Sequence, residues 1–220
     1  MSPRVTFEHE LELLKQSVTE MGTRVENTYD TLFRALVEKD RETVESILKS
    51  DRIINDMQHS IEARCLSLIT RQQPIARDLR IVTASLKAVT DIERIGDHIS
   101  DIAELLLRLE LPEFADFSES LPVMVEETKK MVHNAVDAFV NRQPEDAKQV
   151  IEDDDKVDDL FNCVKEDLIH LLKEEKKHAD DCVDILMITK YLEKIGDHAV
   201  NIGEWEIFQE TGSIAEAILL

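Results

Sequence analysis

Apolar residues recur along this chain at intervals of three and four, and the spacing continues almost from end to end. Such spacing is typical of amphipathic helices, and no stretch alternates with a period of two over the length of a strand. The pattern predicts six helices, over about residues 7–38, 41–71, 75–109, 122–141, 145–173 and 179–208. Pro74 fits the first turn of the third helix, and Gly212 fits the end of the last.

The second half of the chain repeats the first. The segment Glu93–His98, ERIGDH, returns 100 residues later as EKIGDH in Glu193–His198. A connection with a proline and two phenylalanines, Leu111–Phe117, separates the halves. The sequence therefore predicts an all-α fold of two tandem, pseudo-symmetric three-helix bundles, with one domain at 1–111 and the other at 112–220. The earlier matches lie 103 residues apart and pair Met21, Ala35, Glu42 and Asp51 with Met124, Ala138, Glu145 and Asp154.

The net charge of −21 limits the possible partners. A strongly acidic chain repels nucleic-acid phosphates and anionic membranes, whereas it attracts cations and basic protein surfaces. Residues 1–14 have no apolar core of signal-peptide length, and no apolar run reaches the length of a membrane span. We therefore expect a cytoplasmic protein. The three cysteines form no CxxC pair and are predicted to be buried thiols: Cys65, Cys163 and Cys182.

The repeated segment places carboxylates in a row along one side of its helix. At about 100° per residue, the first row spans only about 80°. Neighbouring acids four residues apart repel each other by a few tenths of a kcal/mol, so the arrangement is unfavourable unless a cation lies among the oxygens. Hard cations prefer oxygen ligands, and the rows predict metal sites for iron, zinc, manganese or magnesium. The predicted ligands are Glu93, Asp97 and Asp101 in the first half and Glu193, Asp197 and Asn201 in the second.

Two further features accompany these rows. Gly96 and Gly196 lie in the middle of helices, where glycine is unfavourable by about 1 kcal/mol, and their repetition predicts close helix approach. The second helix of each half has polar residues at similar spacing, although acids near a helix start are common for dipole reasons alone. These weaker ligand candidates are Asp51, Asn55, His59 and Glu62, with the counterparts Asp154, Asp158, Asn162 and Lys165.

The segments Ile75–Arg80, Asp91–His98 and Tyr191–Ile202 resemble the PhoU family of phosphate-transport accessory proteins. The resemblance covers nearly the whole chain, including its length and duplication. It implies two three-helix bundles, surface metal clusters on the repeated carboxylates in some members, and frequent dimers. It also implies negative regulation of the phosphate-starvation response through two partners, the ATPase of the phosphate ABC transporter and the phosphate-sensing histidine kinase.

The halves differ in ways that bear on these expectations. Asn201 replaces the acid at Asp101, so the second site is expected to bind metal more weakly. The Arg77–Arg80 element has no counterpart in the second half; its arginines serve either a partner or phosphate, or salt bridges to nearby acids.

Two other functions stay open. A metal-free helical scaffold would use the acid rows to dock a basic partner. A carboxylate-bridged di-metal enzyme would need two Glu-x-x-His motifs facing a bundle interior, and the sequence offers only Glu175–His178. The prediction is therefore a regulator that is not an enzyme.

Overall fold

The computed structural model describes residues 3–109, 112–174 and 179–213, without the side chains of residues 3, 4, 50, 51 and 174. It confirms an all-α fold of six long helices. A short 3-10 turn, Phe114–Asp116, lies in the connection between the halves. The helices are α1 (Pro3–Glu38), α2 (Arg41–Gln72), α3 (Ala76–Arg108), α4 (Ser120–Asn141), α5 (Pro144–Glu174) and α6 (Ala179–Thr211).

Local chemistry accounts for the helix ends. Asp40 begins α2 by accepting a hydrogen bond from the Thr43 backbone N–H at 3.1 Å. Pro74 does not enter α3 as predicted, because extended Ile75 is the residue that caps the helix and α3 starts at Ala76. Gly212 does close α6: its φ is +78° and its N–H donates to the Phe208 carbonyl at 2.8 Å.

The helices form two three-helix units, α1–α3 and α4–α6, as the repeat predicts. The units join along two seams, one between α3 and α6 and one between α1 and α4. Buried apolar side chains of both units belong to one continuous cluster, because each seam is itself packed. The boundary predicted between 111 and 112 falls beside residues outside the described ranges.

The α3–α6 seam is the centre of the molecule. The two helices run antiparallel: Arg108 pairs with Asp184 at one end, and Arg80 donates to the Gln209 carbonyl near the other. The apolar faces of both helices are fully buried there. Within the described residues, no helix is long and apolar enough to cross a bilayer. The buried residues of the α3 face include Ile92, Ile95, Ile99, Ile102 and Leu106.

Candidate functional site

The acid rows of α3 and α6 are not an ordinary solvated surface. Each motif helix is enclosed by its own bundle and by the other motif helix, so even the side opposite the apolar face is partly covered. Glu93 keeps only 8% of its surface exposed, and the Glu193 side chain keeps 13%. A buried carboxylate is unfavourable without a compensating charge or hydrogen bond.

In the second half, α5 adds acids to the row on α6. Burial, together with the negative charges of Asp158, Asp197 and Glu193, raises the pKa of Asp154 to about 6. The pKa of Asp158 is also raised, first by burial and then by Glu193 and Asp197. Four carboxyl groups on two helices therefore share one electrostatic site, in which the acids of α6 make Asp154 and Asp158 harder to ionise.

Two oxygens of this group have no hydrogen-bond partner. Oδ1 of Asp154 and Oε2 of Glu193 are both buried, and neither accepts a hydrogen bond from the described residues. Buried polar atoms are nearly always satisfied, so two unsatisfied oxygens in one acidic group are exceptional. A cation between α5 and α6 would satisfy both.

Gly196 provides the space that this group needs. A Cβ added at Gly196 would lie 3.3 Å from Asp154 Oδ1 and 3.5 Å from Val157. Gly96 plays a similar part in the first half, where an added Cβ would lie 3.0 Å from Ile54. The prediction of close helix approach at both glycines is confirmed.

Basic side chains partly neutralise the row on α6. Lys190 Nζ lies 2.6 Å from Glu193 Oε1, and Lys194 Nζ lies 3.4 Å from Glu193 Oε2. Lys194 also donates to Asp197 in a very short contact. Both lysines are about two-fifths exposed, so they screen the edge of the site. Glu193 Oε2 has the Lys194 ammonium nearby, whereas Asp154 Oδ1 accepts no hydrogen bond from a described residue.

The first half has a single arginine at the equivalent place. Arg94 donates to Asp97 at 3.1 Å and approaches Glu93 at 3.7 Å. The facing residues on α2 are Asn55, which is half-buried, and Asp51, whose side chain is not described. The first half thus has an amide where the second half has the carboxyl of Asp158.

The remaining two predicted ligands face the α3–α6 seam. Asn201 donates to Asp91 Oδ1 at 3.0 Å, whereas Asp101 contacts His98 Nδ1 at 3.4 Å. The expectation that the second site binds metal more weakly stays a prediction. Whether either residue also ligates a metal stays a prediction.

Asp91 is a residue that sequence reasoning quoted but did not assign. Its carboxylate also contacts His198 Nδ1 at 2.9 Å and accepts from Trp205 Nε1 at 3.2 Å. Three groups of α6 thus converge on one acid of α3, which fixes the register of the two halves. The only sequence signal was a break in the repeat, since Tyr191 stands at the equivalent position.

The two motif histidines meet at the centre of the same seam. The ring centroids of His98 and His198 lie 5.5 Å apart, and the Tyr191 ring lies 5.4 Å from that of His98. Burial lowers the pKa of His98, while its contact with Asp101 opposes the shift. These contacts make the histidines packing elements between the halves.

Among the described residues, no three His, Cys, Asp or Glu side chains converge tightly enough to form a ready metal site. The packing of α5 against α6 instead brings Asp154 and Asp158 close to the acids of α6. The Glu175–His178 motif considered for an enzyme lies outside the described residues.

Two smaller predictions are also resolved. Arg77 pairs with Glu210 at 2.8 Å, and Arg80 donates to carbonyls at the end of α6, so these arginines make intramolecular contacts. Cys65 and Cys182 are buried as predicted, whereas the prediction was wrong for Cys163, which is exposed on the outer side of α5.

Comparison with known proteins agrees with this architecture. The family model described as the PhoU domain matches the chain twice, at residues 18–106 and 121–205. A phosphate-specific transport system accessory protein PhoU homolog from Clostridium acetobutylicum is 37% identical over 95% of this chain and 96% of its own length. A homolog from Methanothermobacter thermautotrophicus is 33% identical over 95% and 96%.

Two solved structures share this architecture. The crystal structure of the phosphate transport system regulatory protein PhoU from Streptococcus pneumoniae superposes with a TM-score of 0.87, at 31% identity over 95% of this chain and 99% of that one. PhoU from Pseudomonas aeruginosa superposes with a TM-score of 0.86, at 30% identity over 94% and 100%. With both halves matched by the family model and the full architecture shared, the chain belongs to the PhoU family.

Proposed function

We propose that this protein is an accessory regulator of phosphate uptake that acts through protein contacts and not through catalysis. The observation that supports it is the match of both halves to the PhoU domain, together with curated relatives named as accessory proteins of the phosphate-specific transport system. In this role the protein reports the state of the phosphate ABC transporter, through its ATPase, to the phosphate-sensing histidine kinase. It represses the starvation response when phosphate is plentiful, and it works in the cytoplasm as a homodimer.

We further propose that cations bind the repeated acidic motifs. In the second half Glu193 and Asp197 would hold the ion together with Asp154 and Asp158. The buried oxygens of Asp154 and Glu193 that accept no hydrogen bond from the described residues support this choice. An all-oxygen donor set fits hard cations such as magnesium, manganese or iron better than zinc. The bound ion would supply positive charge that neutralises the carboxylates and links α5 to α6.

In the first half, Glu93 and Asp97 would form the equivalent site. Asp101 and Asn201 lie nearer the α3–α6 seam and would contribute only by turning away from their present partners. Neutralising the acid rows would change the charge that a docking partner meets on this face of the molecule.

A metal-free scaffold is the second candidate function. It is favoured by the ion pairs that already engage the rows, since Lys190, Lys194 and Arg94 lie within 3.7 Å of motif carboxylates. Elemental analysis of protein purified without chelator or affinity metal separates the two. We expect bound iron, manganese or magnesium, and metal-free protein that binds no added Mn²⁺ would favour the scaffold.

The accessory role is tested by co-purification with the transporter ATPase and with the kinase. We expect association with both, with a difference between cells grown at high and low phosphate. Absence of association with either partner under both conditions would contradict the proposed role. A variant that keeps the fold but exchanges the seam contact, Asp91→Asn, tests whether the relative position of the two halves affects this association.

A further inference from the structure

A surface cavity lies at one end of the α1–α4 seam, away from the acid rows. It has a volume of about 630 Å³, within the usual range of about 300–1,000 Å³ for binding pockets. Its floor is apolar and aromatic, and Val37 at its edge is 79% exposed. We call it the α1–α4 groove; its apolar floor comprises Tyr29, Phe33, Leu36, Phe114 and Val125.

Residue size explains why the groove opens at this end. At the other end Gly22 lies so close to Val136 that an added Cβ would be 2.4 Å from Val136 Cγ1. In the repeat, with its offset of 103, Val125 corresponds to Gly22 and Phe33 corresponds to Val136. The seam is therefore tight where it has glycine and valine, and wide where it has valine and phenylalanine.

Helix length differs between the two ends as well. Helix α4 has 22 residues against 36 in α1, so it lacks 14 residues, or about 21 Å of helix, at its start. The first turns of α1 cover the tight end, where Leu11, Leu14 and Val18 leave a cavity of only about 30 Å³. At the wide end, the described part of the connection, with its 3-10 turn, occupies the equivalent place.

The edges of the groove carry opposite charges. Arg34 on α1 makes a 3.5 Å contact to the Thr31 hydroxyl of its own helix, and Glu126 lies opposite on α4. Neither forms an ion pair with another described residue. Between them, the nearby Asp30 and Lys129 neutralise each other at 2.7 Å.

We propose that the α1–α4 groove binds an amphipathic helix of a partner protein, in the place that the first turns of α1 occupy at the other end. The partner helix would lay apolar residues spaced i, i+3, i+4, i+7 on the aromatic floor. It would place an acid against Arg34 and a base against Glu126. This inference does not depend on phosphate or on bound metal.

The test uses the full chain and a fluorescein-labelled synthetic helix of about 15 residues with leucines spaced i, i+3, i+4, i+7, glutamates along one flank and lysines along the other. As protein is added, we expect the anisotropy of the labelled peptide to rise and saturate, with a Kd below about 1 mM. Val37→Asp should weaken binding at least about tenfold, because it places a charge on the apolar edge. The matched control, Val183→Asp, changes a valine that is 56% exposed on α6 and should leave binding unchanged.

A charge exchange tests the orientation. Arg34→Glu should weaken binding of the first peptide and strengthen binding of a second peptide whose acidic and basic flanks are interchanged. No saturable binding, or equal losses in Val37→Asp and Val183→Asp, would overturn the proposal. So would sedimentation showing that Val37→Asp dissociates a dimer, because the occupant would then be a second copy of this chain. Each of these results leaves the accessory role in phosphate transport standing.

Discussion

The motif helices α3 and α6 share a sequence pattern but differ at their last buried turn. Leu106 on α3 is fully buried in the core, and at the equivalent position α6 has Glu206, which is also fully buried. The facing helices differ too, since Asn55 on α2 corresponds to Asp158 on α5. The first exchange adds a buried acid to the second half, Glu206, and the second adds an exposed acid, Asp158. Both halves therefore fold as the same three-helix bundle, but the second half carries more closely spaced carboxyl groups that repel one another.

Among these carboxyl groups, Glu206 is the most deeply buried. Burial raises its pKa to about 8, although a hydrogen bond from Gln209 opposes the shift. Gln209 Nε2 bridges the carboxyl to the Phe139 carbonyl, while Glu206 Oε1 has no partner in the described structure. The native protein thus retains this proton at neutral pH.

Replacing Glu206 with Gln should produce the largest change in stability. Between about pH 4.5 and 8 the native state keeps a proton that the unfolded chain releases, so the free energy of unfolding falls as pH rises. One such group contributes a slope of at most about 1.4 kcal/mol per pH unit. Glu206→Gln should flatten that slope and stabilise the protein at pH 8. Urea unfolding from pH 5 to 9 measures it, with exposed Glu166→Gln as control; an unchanged slope would show that Glu206 is ionised in the native state.

The tight end of the α1–α4 seam should be the next most sensitive place. Gly22→Ala puts a Cβ 2.4 Å from Val136 Cγ1, and valine has little freedom at χ1 to move aside. We expect a loss of about 1–3 kcal/mol in the free energy of unfolding. Thr23→Ala, on the exposed face of the same helix, should change it by less than about 0.5 kcal/mol. Equal stability of both variants would remove the size argument for the α1–α4 groove.

The Asp154→Asn variant distinguishes a metal-binding protein from a metal-free scaffold. If a cation binds between α5 and α6, the variant should bind Mn²⁺ at least about tenfold more weakly. Without metal it should be more stable than wild type above about pH 6, because it removes a carboxyl whose pKa is raised by burial. Calorimetric titration and urea unfolding measure the two effects, and Asp159→Asn, exposed on α5, is the control. A gain in stability with no loss of binding would favour the scaffold.

Most of the fold was predictable from the sequence. The periodicity of apolar residues predicts the six helices, and the duplicated motif predicts two similar bundles. The pairing of α3 with α6 was not predictable, since nothing in a single helix shows which of its faces meets the other half. For the same reason the seam contacts of Asp101 and Asn201 could not be predicted, since both lie in the same row on the helical wheel as the other predicted ligands. Conversely, Asp154 and Asp158 were ranked low because acids near a helix start are common. Only the position of α5 against Gly196 shows that they face the acids of α6.

The smallest expected effect would make the first half resemble the second. Asn55→Asp adds to α2 the carboxyl that Asp158 provides on α5, while Glu93 and Asp97 stay in place. Affinity for hard cations rises with the number of charged oxygens. Of the two Mn²⁺ affinities, one for each half, the weaker one should therefore increase by about threefold to tenfold. Asp56→Asn, an exposed change one residue further along α2, should leave both affinities unchanged. If Asn55→Asp weakened binding instead, the present amide would already be a ligand, and the two halves would hold their ions by different chemistry.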